Sequence, residues 1–146
     1  MNTSEVPILD KTLQVTNTWL NELMEDHGPD RHVAWHVLTA VLHTLRDRLP
    51  ADLAAHLSAQ LPLLVRGAYY EQYEPSRQPT PSRSLGEFLA QVEDEFTTIR
   101  PVDSTEAVRS VFRLLSHHID PGQVQKIRHA LPEEVRALWP DPEKRH

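Results

Sequence analysis

The chain has 146 residues, of which 39% are apolar and 25% are charged, and this composition is typical of a folded globular domain rather than of a disordered segment. It contains no cysteine, which excludes disulfides and thiolate metal sites and removes any need for an oxidising compartment. The net charge is −6, and the few basic side chains are scattered along the sequence. Because nucleic-acid binding depends on clustered Lys and Arg, we expect no nucleic-acid partner.

The N-terminal sequence lacks the basic start and the apolar run of a signal peptide. No apolar run approaches the roughly eighteen residues that a membrane span requires. We therefore expect a cytoplasmic protein that has no membrane association and no bound cofactor.

Two helices are predicted at the start of the chain. Asp10 is expected to cap the first, and His27-Gly28-Pro29 to end it. Its apolar face follows three- and four-residue steps: Leu13, Thr16, Trp19, Leu20 and Leu23. Asp30 is expected to cap the second helix, whose apolar face includes Trp35, Leu38, Val41, Leu42, Leu45 and Leu49.

Prolines mark the next boundaries. Pro50 and Pro62 begin a third and a short fourth helix, because proline is tolerated where a helix starts. The segment Glu71 to Arg83 then carries three prolines and no apolar period, which indicates an extended linker or surface loop. Four further helix starts follow the linker: the Ser84/Glu87 capping box, Asp103, Asp120-Pro121 and Pro132.

The two halves of the chain resemble each other. Adding 70 to the residue numbers superposes Leu61-Pro62 on Leu131-Pro132 and Val65-Arg66 on Val135-Arg136, and apolar positions match between these pairs without an insertion. The first helix of each half joins with a shift of 69, which pairs Trp19 with Phe88. The prediction is an all-α helical bundle of two tandem four-helix repeats related by a pseudo-two-fold axis.

Composition and repeat together set the predicted boundaries. The first repeat covers residues 10–73, the proline-rich linker 74–83, and the second repeat 84–140, all within one compact domain. A single unit of this size has a thin core. Packing the two halves together would bury the apolar surface that each half alone would leave exposed.

Several short motifs resemble those of a bacterial family known as domain of unknown function 2267. The helix starts "WLNEL" and "FLAQV" precede "LTAVLHTLRDRL" and "VRSVFRLLSHHI", and "AQLPLLVRG" has the looser counterpart "HALPEEVRALW". The resemblance covers roughly Thr16 to Pro140. It implies an all-α cytoplasmic protein, and it carries no catalytic residues over to this chain.

Histidines are the first candidates for chemistry. His32, His36 and His43 share one face of the second helix, and His32 and His36 have the four-residue spacing of paired zinc ligands. His43 lies too far along the helix to join them, so a metal would need a ligand from elsewhere. The alternative is that all three face solvent, with His43 near Asp47. His117 and His118 are expected to diverge as surface residues.

A segment with arginine and aromatic residues is the second candidate for a site. Arg66 and Arg136 are equivalent in the repeat, and each lies one turn before an aromatic residue. In one interpretation Arg66 reaches acidic groups of another helix and the aromatic ring closes the end of its unit. In the other, these groups line a cleft for a ligand or partner chain: Arg66, Tyr69, Tyr70, Glu71, Arg136 and Trp139.

No nucleophile elbow, phosphate-binding glycine loop or complete metal-ligand motif occurs in the sequence. The preferred hypothesis is therefore a non-enzymatic protein-interaction module, which binds a protein partner or a second copy of itself. The alternative is a protein that binds a small ligand through the arginine and aromatic segment, or a metal through His32 and His36.

Overall fold

The computed structural model describes residues 5–140, and within them it contains helices and no strand. The predicted all-α class is confirmed. One 3₁₀ turn covers Pro75–Arg77, and the eight α-helices are α1 Pro7–His27, α2 Arg31–Arg48, α3 Ala51–Ser58, α4 Leu63–Tyr69, α5 Leu85–Asp94, α6 Ser104–His118, α7 Pro121–Ala130 and α8 Glu133–Arg136. None of the helices in residues 5–140 is long and apolar enough to cross a membrane.

The first helix begins one turn earlier than predicted. Its N-cap is Val6, which makes no side-chain capping bond, and Pro7 occupies the first turn. The prediction that Asp10 caps α1 is wrong, because Pro7 has the backbone φ of a helix and lacks the N–H that a cap would satisfy. Asp10 lies inside the first turn, where its charge is favourable to the helix dipole.

The other predicted helix starts are confirmed. The side chains of Asp30, Ser84, Asp103 and Asp120 each accept a backbone N–H in the first turn of α2, α5, α6 and α7. Pro50, Pro62 and Pro132 lie at the N-caps of α3, α4 and α8. Helix α1 ends at Gly28, whose φ of 87° is strained for any residue with a β-carbon.

The helices pack across the two halves of the chain. α1 lies against α2 and also against α6, while α2 contacts α5 as well as α4 and α6. α3 meets α7. One apolar core results, and Tyr69, Phe88 and Phe112 are its bulkiest fully buried side chains.

The proline-rich segment is a surface loop that is held against the end of α2. The Arg46 guanidinium donates to the carbonyl of Glu71 at 2.8 Å, and the Gln78 amide donates to the carbonyl of Arg46 at 2.6 Å. The backbone N–H of Thr80 donates to the carbonyl of Asp47 at 2.7 Å. This segment is therefore not a free spacer, although its composition is that of one.

Candidate functional site

Arg66 and Arg136 both bind the end of the helix that precedes their own. Arg66 donates to the carbonyls of Ser58 and Leu61, each at 2.9 Å. Arg136 donates to the carbonyls of Arg128 and Leu131, also at 2.9 Å. The interpretation that Arg66 reaches acidic groups of another helix is wrong, because the carbonyls left open at the end of α3 already occupy its donors.

The aromatic members of this segment differ in their surroundings. Tyr69 is fully buried, and its hydroxyl donates to the carbonyl of Ala54 at 2.8 Å. Burial raises the pKa of its phenol. Trp139 is also buried and stacks on Phe112 with ring centroids 4.2 Å apart. Both rings therefore close the ends of α4 and α8 against the core rather than lining an open cleft together.

Tyr70 and Glu71 lie at the surface. The Tyr70 side chain is 38% exposed, and its hydroxyl donates to the Ser58 hydroxyl at 2.8 Å. The backbone carbonyl of Glu71 accepts from Arg46, while its residue stays exposed. The hydrogen bonds that the side chains of this segment make hold neighbouring helices together. A partner-binding role for its six residues stays a prediction.

His32 and His36 approach each other at the start of α2. Their ring centroids are 4.4 Å apart in an edge-to-face arrangement. Burial lowers the pKa of His36, and the neighbouring His32 lowers it further. Across residues 5–140, no group of three or more His, Asp or Glu side chains is arranged to hold a metal ion. The metal role of this pair stays a prediction that would need a ligand from outside those residues.

The prediction that His43 faces solvent near Asp47 is wrong. His43 is buried, its Nδ1 lies 2.9 Å from a carboxylate oxygen of Glu95, and its Nε2 lies 2.6 Å from the carbonyl oxygen of Ala68. Both ring nitrogens face acceptors, an arrangement that favours the doubly protonated, cationic imidazole. Burial opposes that charge, but the bonds to Glu95 and Ala68 outweigh it and raise the pKa of His43. This cation joins α2, α4 and α5.

A serine, a histidine and an aspartate also converge, although their bonds do not form a catalytic triad. Ser110 Oγ lies 2.8 Å from Asp26 Oδ2 and 2.9 Å from His27 Nε2. A carboxylate only accepts, so the serine proton goes to Asp26 and the imidazole donates to Ser110. A triad needs the histidine to accept from the serine and to donate to the aspartate. The bonds here run the opposite way and serve to fix α1 to α6.

Two further groups of polar contacts also join the first helix of each half to the other half. Glu22 on α1 accepts from His117 Nδ1 at 2.6 Å and from His118 Nε2 at 3.0 Å, and His118 stacks on Trp19. His117 and His118 are exposed at the end of α6, as predicted, but the expectation that they diverge is wrong, because both reach one carboxylate.

The second of these contacts lies between α5 and the end of α2. Gln91 donates to Asp47 at 3.0 Å and accepts from Arg48 at 2.7 Å. The Arg48 guanidinium lies over the Phe88 ring, 5.1 Å from its centroid. Arg48 on the Phe88 ring, together with the bridging Gln91, therefore holds α5 against α2. On the other side of the molecule, His118 on the Trp19 ring and Glu22 hold α1 against α6 in the same way.

The strongly exposed large apolar side chains of residues 5–140 come from two segments of the chain. Within residues 5–140, every large apolar side chain that is strongly exposed lies at the start of α1 or on α4 and its end: Val6, Ile8, Leu9, Leu13, Leu63, Leu64 and Tyr70. Leu13 was expected in the core and is 51% exposed, so that expectation is wrong. At this level α1 is buried on the side of Thr12, which is 6% exposed, and open to solvent on the side of Leu13.

A groove lies between these two helices. It has a volume of 320 Å³ and is lined by Ile8, Lys11, Thr12, Val15, Pro62 and Leu63. The sequence analysis missed this groove because it placed the start of α1 at Asp10. Pro7 was the available signal, since a proline three residues before the assumed cap is typical of the first turn of a helix.

Comparison with known proteins bears on family and not on activity. No curated protein matches the chain at a significant level. The sequence pattern of a family described as Uncharacterized conserved protein (DUF2267) matches residues 16–138, which is most of the chain. The spacing of the helices and of the Leu-Pro steps lies within that matched range. The chain belongs to the DUF2267 family.

Proposed function

We propose that the protein is a non-enzymatic interaction module that binds a helix of a partner protein in the groove between α1 and α4. The observation that carries this proposal is that the groove is lined mainly by apolar residues, two of which, Ile8 and Leu63, are strongly exposed. Exposed apolar side chains that line a groove commonly mark an interaction site.

The size and lining of the groove define what it would bind. Its volume of 320 Å³ has room for two or three aliphatic side chains, and its lining is mostly apolar. Its walls are two helices, and an amphipathic helix laid between them would place anchors at three- and four-residue spacing. Ile8 at 59% exposure and Leu63 at 47% are the side chains that such anchors would cover.

Charge gives the partner a further property. Lys11 is exposed and is the one charged residue among those lining the groove. An ion pair at the rim contributes little affinity but fixes orientation and favours partners of opposite charge. The partner helix should therefore carry an acidic residue beside its apolar anchors.

We infer further that the two halves arose by duplication and are related by a pseudo-two-fold axis. The contacts of Arg66 and Arg136 support this inference, because donor and acceptors each differ by 70. The crossed contacts support it as well. Shifts of 69 and 70 relate Glu22, His117 and His118 on one side to Gln91, Asp47 and Arg48 on the other.

The same relation explains why only one half would bind. Leu63 and Leu64 correspond to Glu133 and Glu134, which begin α8 with two exposed charges. The first two turns of α1 have no helical counterpart before α5. The groove is therefore an addition to the first half, and the second half provides a built-in control surface.

The contacts within the candidate residues favour an interaction module over the alternatives. Ser110, His27 and Asp26 have the wrong bond directions for nucleophilic catalysis. Arg66 and Arg136 direct their donors to carbonyls within the fold rather than to a cleft. A ligand at the arginine and aromatic segment, and a metal at His32 and His36, have no comparable support. A bacterial source and a cytoplasmic location stay predictions.

Site-specific photo-crosslinking tests the proposal. A photoreactive residue at Leu63 should trap a partner protein, whereas the same residue at Glu133, its counterpart in the second half, should not. With the purified partner, Leu63→Glu should weaken binding at least about tenfold, because it replaces an apolar contact by a carboxylate that loses its water on binding, and Lys11→Glu about two- to fivefold. Equal trapping at both positions, or unchanged binding by Leu63→Glu, would contradict the proposal.

A further inference from the structure

The connection between α5 and α6 is held near both of its ends. It covers residues 95–103, from the end of α5 to the start of α6. At its beginning, a carboxylate oxygen of Glu95 lies 2.9 Å from Nδ1 of the buried His43 ring. Towards its other end, the Arg100 guanidinium donates to the carbonyl of His27. Partly buried apolar side chains of the connection also pack against the core: Phe96, Ile99 and Val102.

The corresponding connection in the first half carries a permanent ion pair instead. The shifts of 69 and 70 that align the two halves pair Glu95 with Asp26 and His43 with Arg113. Asp26 and Arg113 are also in contact, with 2.8 Å between the charged atoms. Arginine keeps its charge throughout the pH range of proteins, whereas histidine loses its charge near neutral pH. The same contact between helices is therefore insensitive to pH in one half and sensitive to pH in the other.

Loss of one proton from the His43 ring breaks its bond to Glu95 rather than its bond to Ala68. A neutral imidazole keeps a single N–H, so only one of the two acceptors can still receive a hydrogen. The Ala68 carbonyl belongs to the backbone of α4 and cannot turn away from the ring. The Glu95 side chain is 35% exposed and can turn into water, where its charge is solvated.

We propose that His43 and Glu95 form a pH-dependent switch, which fixes the start of the α5–α6 connection while the ring is protonated and releases it when the ring is neutral. Two charged groups act on the ring: Glu95 favours the cation, and Arg46 on α2 opposes it. From α4 the ring faces the backbone carbonyl of Ala68. Together these groups raise the pKa of His43, so the release occurs above the ordinary value of 6.5.

The switch acts on a surface that is separate from the groove between α1 and α4. The α5–α6 connection forms one wall of a cleft of 320 Å³, and the end of α1 and the start of α6 form the others. Its lining carries charges of both signs: Asp26, Arg100, Asp103, Glu106 and Arg113. These residues do not line the groove, so the switch and the proposed function can fail independently. Protonation of His43 thus controls how firmly one wall of this charged cleft is held.

Hydrogen–deuterium exchange of the full chain, measured by mass spectrometry from pH 6 to pH 9, tests the switch. Rates are corrected for the pH dependence of exchange in an unfolded chain, so a remaining change reports local opening. Protection of residues 95–103 should fall about three- to fivefold as pH rises through the folded pKa of His43, because a partly exposed contact is screened by solvent. Protection of residues 24–30, next to the Asp26 ion pair, should stay constant.

Glu95→Gln is the matched control variant, because glutamine keeps the size of the side chain and removes its charge. Glu95 is partly exposed, so the change should not prevent folding. Protection of residues 95–103 should then be independent of pH. Burial lowers the pKa of His27 and of His36, which carry little charge in this range, and comparison with the variant cancels the remaining histidines. Constant wild-type protection of residues 95–103, an equal fall in residues 24–30, or a fall that persists in Glu95→Gln would overturn the proposal.

Discussion

Replacing His43 by glutamine tests whether a buried cation joins α2, α4 and α5. Glutamine is similar in size but can donate to only one of the two acceptors at a time, whereas the imidazolium donates to both Glu95 and Ala68. Hydrogen bonds to charged groups contribute about 1.5–3 kcal/mol each. Glu95 is 35% exposed, so solvent screening favours the lower end of that range. We expect a loss of about 2 kcal/mol near pH 6.

The pH dependence gives the sharper test. The folded pKa of His43 is raised above its unfolded value, so its contribution to stability is complete below the unfolded pKa of 6.5 and is lost as pH rises through the folded pKa. Burial of His27 lowers its pKa and acts in the opposite direction. The difference between wild type and His43→Gln cancels that effect. This difference should be largest near pH 6 and should shrink above the folded pKa.

The assay is urea unfolding followed by circular dichroism at several pH values. The charges around the ring are Glu95, which stabilises the cation, and Arg46, which opposes it. Glu95→Gln should therefore remove most of the pH-dependent difference while preserving shape. If the free energies of unfolding of wild type and His43→Gln run parallel from pH 6 to pH 9, the imidazole is neutral in the fold and the reasoning is wrong.

Three further experiments test the contacts that hold the helices together. Arg66→Lys and Arg136→Lys should each cost about 1 kcal/mol in urea unfolding and should add, because a lysine cannot donate to two carbonyls in the planar geometry of arginine; full stability in either variant would count against the tie. Tyr69→Phe should cost about 1 kcal/mol through loss of the bond to Ala54, and Tyr70→Phe, at the surface, less than about 0.5. A larger effect at Tyr70 would reverse that ranking. The two halves, split within the proline-rich segment and expressed separately, should show little helix alone and should recover it when mixed, because α1 packs on α6 and α5 on α2. Cooperative thermal unfolding of one half by itself would argue against this dependence.

Helix boundaries could be predicted from the sequence because they depend on neighbouring residues. Asp30, Ser84 and Asp103 satisfy backbone groups two or three positions away, which a linear sequence displays. The start of α1 was misjudged because two local signals competed, and Pro7 prevailed over Asp10. Because of that one error, the first turn of α1 was not predicted, and the groove that it lines was not predicted either.

Tertiary partners could not be predicted in the same way. The helical position of His43 indicated an exposed side chain, yet α5 from the other half covers it with Glu95. Glu22 and His117 are 95 residues apart, and nothing local in either segment indicates the other. The arginine and aromatic segment was correctly singled out as unusual, but its donors turn inward to carbonyls that only the folded α3 presents.

The crossed packing has a consequence for how the chain reaches its fold. Helical proteins usually fold fast because most of their contacts are local in sequence. Here the hydrogen bonds that hold α1 against α6 join residues that are 83 to 96 positions apart in the sequence. During synthesis, α2 can cover part of the apolar side of α1 early, but that side is covered fully only after α6 has left the ribosome. Final assembly should be slower than the helical content suggests, and the exposed helix is the species most open to chaperones in that interval.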